Sequence, residues 1–335
     1  MHPALSVIFF TAVSGIGYGL LFLIGLVIAL DPLAPDPLAA LLAIATGAVF
    51  AAAGLTSSTL HLGQPQRAWR AFSQWRSSWL SREGVAALCS FAPMLALGAL
   101  VWRFADALAA QTPSADATLG LRITGLAMAI AATVTVFCTA RIYTSLKTIA
   151  AWHNGYVLPT YLLLGLLGAA AWLWMLDAIA GARSAAWLRT ALPGVIIALA
   201  GASWLLKRAY WRFIDSAPSA STPETATGLG RFGTVRGVEA PHTEENYLTR
   251  EMGFVLARKH SARLRRFVLL ALALPPVALA LLALLLPLSA LVIACAAAVA
   301  LCVTAATFVE RWLFFAEAKH VVMLYYAGAR APAER

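Results

Sequence analysis

Eight apolar stretches, most of them about 20 residues or longer, recur along the chain, and each is long enough to cross the hydrocarbon core of a bilayer. In lipid such a stretch must form a helix, because every backbone polar group has to be paired within the protein. The alternating short strands of an outer-membrane barrel are absent from the sequence. The pattern therefore predicts an all-α integral membrane protein, a bundle of eight transmembrane helices that forms a single domain over residues 1–335. The predicted spans are about 5–30, 38–60, 84–104, 120–140, 156–177, 190–206, 267–287 and 290–309, with a long connector at about 207–266.

Composition supports this prediction, and the distribution of charge predicts the orientation of the chain in the membrane. Hydrophobic residues make up 61% of the chain and charged residues only 12%, about half the charged share of a soluble domain. Of the 25 lysines and arginines, 21 fall in the connectors after spans 2, 4 and 6 or in the C-terminal tail. Basic loops stay on the cytoplasmic side, so the sequence predicts a multi-pass protein of the bacterial inner membrane with both termini in the cytoplasm. The same distribution explains the net charge of +10 as the basic cytoplasmic loops of an inner-membrane protein. The predicted contacts are therefore with membrane lipids and not with nucleic acid.

The connector between spans 2 and 3 carries polar chemistry that a simple connection between two helices does not need. Residues 61–83 begin with a histidine, end with a glutamate, and carry four arginines and three tryptophans between them. Antiparallel helices joined by one connector bring His61 and Glu83 to the same face of the membrane. Histidine titrates near neutral pH, and a glutamate at a span boundary is costly unless it is paired or functional. The segment could therefore hold the head group of a redox-active lipid.

Other chemistry receives less support from the sequence. None of the six histidines lies deep within a predicted span, so the pattern does not favour a haem. The four cysteines form no Cys-x-x-Cys pair, which does not favour an iron–sulfur cluster, and no metal-binding spacing is present. A quinone site remains, with His61 and Glu83 as hydrogen-bonding and proton-relay residues. The residues predicted to form the quinone pocket are His61, Arg76, Trp79, Arg82 and Glu83.

Each of these residues also has a purely structural interpretation. His61 could be an interfacial histidine bonded to a backbone carbonyl group. Glu83 could pair with Arg82 or Arg76, or face the positive end of a helix dipole. The tryptophans could anchor the helices at the membrane interface, and the arginines could do the same or contact an acidic patch on a soluble partner.

Three segments carry a resemblance to a known family: residues 2–18, residues 61–83 with their final Ser-Trp-Leu-Ser-Arg-Glu, and residues 310–320. Together they make the chain similar to the DmsC family, the membrane anchors of DMSO reductase-type molybdoenzymes. The resemblance implies eight spans and an anchor without its own haem or iron–sulfur cluster. It implies a molybdopterin catalytic subunit and an iron–sulfur electron-transfer subunit as partners, and ubiquinone or menaquinone as the redox lipid. It also places quinone chemistry at a histidine and a glutamate that correspond to His61 and Glu83.

Two more segments, residues 142–161 and 246–254, resemble the branch of this family that contains SoeC, the anchor of a sulfite dehydrogenase. That branch implies electron flow from sulfite to quinone. The reductase anchors instead carry electrons from menaquinol to a sulfoxide or N-oxide. Two rival functions remain open: a secondary transporter, which requires polar mid-span residues and broken helices, and a purely structural anchor.

Overall fold

The computed structural model describes residues 4–60, 62–181, 183–216, 221–235, 256–286 and 289–322, and within them all side chains except those of 65 and 256–259. Eight long helices account for most of these residues. In chain order they are α1 (Leu5–Leu30), α2 (Pro37–Thr59), α3 (Trp79–Arg103), α4 (Ala115–Thr144), α5 (Val157–Ile179), α6 (Ala186–Ser216), α7 (Leu256–Leu285) and α8 (Ser289–Ala316).

All eight helices are long and apolar enough to cross a membrane, and the described residues form no β-strand. The predicted fold class, an all-α bundle of eight transmembrane helices, is thereby confirmed. Several short helical segments lie between the long helices, among them a 3-10 helix at Pro65–Gln74 in the connector between α2 and α3. The single-domain organisation over residues 1–335 stays a prediction.

Helix α1 lies at the centre of the N-terminal half, where it packs against α2, α4 and α5. Glycines make this close packing possible. A Cβ atom on Gly19 would lie 2.5 Å from the carbonyl oxygen of Gly165 on α5, and one on Gly25 would lie 2.7 Å from that of Gly125 on α4. Small residues at these positions let helix backbones approach one another, which is how helices gain packing energy in lipid. In the C-terminal half, α7 packs against α6 and α8, and α5 joins the two halves.

Two helices extend well beyond their predicted spans. Helix α6 continues to Ser216 rather than ending near 206, and α8 continues to Ala316 rather than ending near 309. The long connector, predicted at about 207–266, is correspondingly shorter, because α7 begins at Leu256. Charged residues at 207, 310 and 311 lower the local hydropathy and so end the predicted spans early. In the folded chain these residues pair with one another, and the helices continue through them.

Candidate functional site

The segment that leads into α3 is mostly exposed until the helix begins. Pro65 starts the 3-10 helix, a position that suits proline because its missing N–H would have no partner there. The side chain of Ser78 then caps α3 by accepting a hydrogen bond from the backbone N–H of Ser81. Arg76 is exposed to the surroundings, whereas Glu83, one turn into the helix, is buried. His61, the first residue of this segment, lies outside the described residues.

Glu83 is the buried acid of this region, with only 4% of its surface exposed. It faces α4, where the hydroxyl group of Thr139 donates a short hydrogen bond to its carboxylate. Glu83 forms no ion pair with any described lysine, arginine or histidine. A carboxylate in such surroundings depends on hydrogen bonds rather than on a counter-ion for its stabilisation.

Arg82, the immediate neighbour of Glu83, has different partners. Its Nε donates to the backbone carbonyl of Trp75 at 2.9 Å, and its Nη2 donates to that of Arg76 at 2.6 Å. Arg82 therefore holds the end of the connector against the start of α3. The expected alternative of a Glu83 salt bridge to Arg82 or Arg76 does not occur in the described residues.

Trp79 forms a cation–aromatic stack beside Glu83. The Cζ of Arg82 lies 4.3 Å from the centroid of its ring, and the Cζ of Arg141 on α4 lies 5.1 Å away. Phe137 meets the same ring edge-on at 5.8 Å. The Nε atom of Arg141 is buried and has no hydrogen-bond partner among the described residues. The stack thus joins α3 to α4 at the level of Glu83 and leaves one buried donor free.

The structure therefore brings together three of the five predicted pocket residues: Glu83, Trp79 and Arg82. Arg76 lies outside this group, because its side chain is exposed on the connector and rests on the ring of Trp75. Thr139 and Arg141 belong to the site and were not predicted from the sequence. Neither lies in the 61–83 segment, and only helix packing places them beside it. The prediction of no haem or cluster in this chain stays a prediction.

A second charged cluster lies in the C-terminal half, near the ends of α6 and α8. Lys207 donates to Glu310 at 2.5 Å, and Arg311 donates to the other oxygen of the same carboxylate at 2.5 Å. No more than 2% of any of the three side chains is exposed. The ammonium group of Lys207 also lies 4.0 Å from the centroid of the Tyr210 ring. Two buried cations thus share one buried anion.

A more exposed pair of ion contacts lies just beyond this cluster. Arg265 on α7 donates to Asp215 on α6 at 2.7 Å and to Glu317, directly after α8, also at 2.7 Å. Burial raises the pKa of Glu317 above its ordinary value, although the hydrogen bond from Arg265 opposes that shift. The contacts join α6, α7 and α8 at the same face as Glu83, since α3 begins there and α8 ends there.

Comparison with known proteins adds two findings. The family model described as DMSO reductase anchor subunit (DmsC) matches residues 1–316. A sulfite dehydrogenase subunit of Allochromatium vinosum is similar to the chain, with 34% identity over 338 residues, which covers 97% of this chain and 99% of that protein. Both agree with the resemblance carried by the sequence segments.

Proposed function

The chain belongs to the family of DMSO reductase anchor subunits, and from that premise we propose that it exchanges electrons with the quinone pool of the membrane. It is a multi-pass membrane protein and an anchor subunit of a multisubunit oxidoreductase. We propose that its partners are a molybdopterin catalytic subunit and an iron–sulfur electron-transfer subunit. Since no redox metal is expected in this chain, a quinone bound to it would exchange electrons with a cluster of the partner subunit.

The observation that carries this proposal is the state of Glu83. A carboxylate locked between cations is a poor proton carrier, but Glu83 has a hydroxyl group as its partner and no ion pair among the described residues. Buried acids are rare in membrane helices and mark functional sites by default. Quinone reduction or oxidation requires the transfer of protons as well as electrons, which a buried and unpaired carboxylate near the membrane boundary can provide.

The residues around Glu83 fit a quinone head group. Trp79 offers an aromatic wall. The buried Nε–H of Arg141, beside that ring, has no acceptor among the described residues and is therefore available to donate a hydrogen bond to a quinone carbonyl oxygen. A bound quinone supplies the two-electron chemistry. Glu83 holds or releases the proton at its carboxylate, and Thr139 fixes the orientation of that carboxylate. His61, at the end of the second predicted span, is proposed to bond the head group and pass a proton.

For the direction of electron flow, we propose transfer from sulfite oxidation to quinone. The name of the relative from Allochromatium vinosum, a sulfite dehydrogenase subunit, supports this direction. The description of the family model, which names a DMSO reductase, supports the alternative of a menaquinol-oxidising anchor. Membership of an anchor family favours either direction over a secondary transporter.

The partner subunits are proposed to dock on the face that carries residues 61–83. Arg67, Arg70 and Arg76 are exposed there, beside the exposed ring of Trp69. The positive-inside rule assigns this face to the cytoplasm of the bacterial inner membrane. A docking face next to Glu83 would keep the electron path between the quinone and the partner's cluster short.

Replacing His61 with alanine tests the proposal in the purified complex. We expect quinone-linked turnover to fall by about tenfold or more, because one hydrogen bond to a buried ligand contributes about 1–3 kcal/mol. Turnover with a soluble artificial electron acceptor should not change, since that acceptor bypasses the quinone site. Both rates are measured on the same preparation.

The matched control is His260→Ala, which removes an exposed histidine from α7. It should leave both rates at the wild-type level. Normal quinone kinetics in the His61 variant would contradict the role of that residue, and an equal loss in both variants would show a general effect on the complex.

A further inference from the structure

An apolar cavity of about 170 Å³ lies between α1, α4 and α5. Gly15, Tyr18 and Phe22 line it from α1, and Thr133 and Tyr161 line it from α4 and α5. An apolar cavity of about 150 Å³ is known to accept benzene, so the volume suffices for a hydrocarbon group of several carbon atoms. The cavity is therefore large enough to bind part of a lipid-soluble molecule.

The cavity reaches the lipid-facing surface of the bundle. Thr133 is exposed and Phe22 is half-buried, and on α4 the flanking Ile130 and Val134 are also exposed. Two polar groups of the walls are engaged within the protein: the Tyr18 hydroxyl lies 3.2 Å from Ser90 Oγ, and Thr133 donates to the carbonyl of Ala129. The buried hydroxyl of Tyr161 has no partner among the described residues, and the rest of the lining is apolar. These walls suit a hydrocarbon chain that enters sideways from the bilayer.

The cavity also lies next to the site of Glu83, on its membrane-interior side. Val136 in the cavity wall is three residues before Thr139, which bonds Glu83, a separation of about 4.5 Å along α4. Ser90, the partner of Tyr18, follows Glu83 by two turns of α3, or about 10 Å. A ligand with its polar head at Glu83 and an apolar chain in the cavity would have its chain directed into the hydrocarbon, as the bilayer requires.

We propose that this cavity binds the first part of the isoprenoid chain of the quinone and is the lateral entrance to the Glu83 site. The inference rests on the proposed function, and it adds a separate subsite that recognises the chain rather than the head group. It predicts that affinity depends on the chain and that this dependence is controlled by residues of the cavity rather than by Glu83.

Gly15 provides a clean test. It lines the cavity, and a Cβ atom built on it has no atom within 4 Å, so a larger side chain at this position begins in open space. The experiment measures binding of two ubiquinone analogues, one with a decyl chain and one without a chain, to the full chain in lipid nanodiscs. Quenching of tryptophan fluorescence gives the dissociation constants.

Gly15→Leu should weaken binding of the decyl analogue by about tenfold, which corresponds to the loss of about two buried methylene groups. Binding of the analogue without a chain should stay at the wild-type level. The control is Gly201→Leu on α6, an exposed glycine whose added Cβ also meets nothing within 4 Å, and it should not change either constant.

Equal effects of Gly15→Leu on both analogues, or on neither, would overturn the proposal. Equal dissociation constants of the two analogues for the wild-type chain would also overturn it. The cavity would then contribute nothing to quinone binding, as expected if it holds a phospholipid acyl chain. Failure of the wild-type chain to bind even the analogue without a chain would contradict the proposed function itself, so the two failures are distinct.

A second measurement keeps the test valid if Gly15→Leu fails to fold. A decyl analogue with a photoreactive diazirine in its chain is crosslinked to the wild-type protein, and the adducts are mapped by mass spectrometry. We expect adducts within residues 15–22, 132–136 and 161–166. Adducts confined to other helices would overturn the proposal.

Discussion

Replacing Glu310 with alanine is expected to destabilise the protein by about 3–5 kcal/mol, the usual result of breaking a buried ion pair. The change leaves Lys207 and Arg311 buried without the carboxylate that both of them contact. Arg311 can hardly find a substitute, since its Nη1 and Nη2 already lack a hydrogen-bond partner among the described residues. Chemical denaturation of the purified chain in detergent, followed by circular dichroism, measures the free energy of unfolding.

Asp215→Ala is the matched control for this effect. Asp215 also pairs with an arginine, but 60% of its side chain is exposed, so the loss should be at most about 1 kcal/mol. A triple variant, Lys207→Met with Glu310→Leu and Arg311→Met, should recover most of the stability, because it removes the buried charges together. Similar losses in the free energy of unfolding for Glu310→Ala and Asp215→Ala would show that burial does not determine how much an ion pair stabilises this protein.

Glu83→Gln is expected to lower quinone-linked turnover by about 10²- to 10⁴-fold, the range that a positioned proton-transfer group contributes. Glutamine has nearly the same shape and keeps a carbonyl oxygen that can accept the hydrogen bond from Thr139, so the helix packing should survive. It cannot take up or release the proton. Turnover of the complex with an artificial acceptor should stay normal, and the ratio of the two rates is the quantity to measure.

The best control for this variant is another buried acid in similar surroundings. Asp177 near the end of α5 is 3% exposed and accepts a short hydrogen bond from Ser184, but it lies at the opposite face of the membrane. Asp177→Asn should leave quinone-linked turnover unchanged. If it slows turnover as much as Glu83→Gln does, or if Glu83→Gln has no effect, Glu83 is not the proton-transfer group.

Much of the candidate site could be predicted from one short segment. Glu83 and Trp79 stand out because a charged residue and an aromatic residue at a span boundary are informative on their own. Arg82 is predicted as a pocket residue because it neighbours Glu83, and that role stays a prediction; its hydrogen bonds to backbone carbonyl groups could not be predicted. A basic residue next to an acid suggests an ion pair. Only the folded start of α3 shows that the guanidinium group of Arg82 instead donates to backbone carbonyl groups of the connector.

Local sequence also misplaced the ends of α6 and α8. Hydropathy treats each charge as if it faced lipid alone, so it places Lys207 in a connector and Glu310 in the C-terminal tail. In the folded chain Lys207 and Glu310 pair across two helices, with Arg311 on the same carboxylate, and their burial costs far less than that of isolated ions. The family resemblance at residues 310–320 was a signal for this region, but it did not reveal which residue Glu310 contacts.

The sequence by itself determined the number of helices, the fold class and the basic face, because lipid forces each apolar run to satisfy its own backbone hydrogen bonds. The tertiary structure alone decided the partners of the buried charges. Thr139 is 56 residues from Glu83, and Lys207 is 103 residues from Glu310. Such contacts depend on how the helices pack, and packing in lipid follows the fit of surfaces and polar groups rather than any periodicity along one helix.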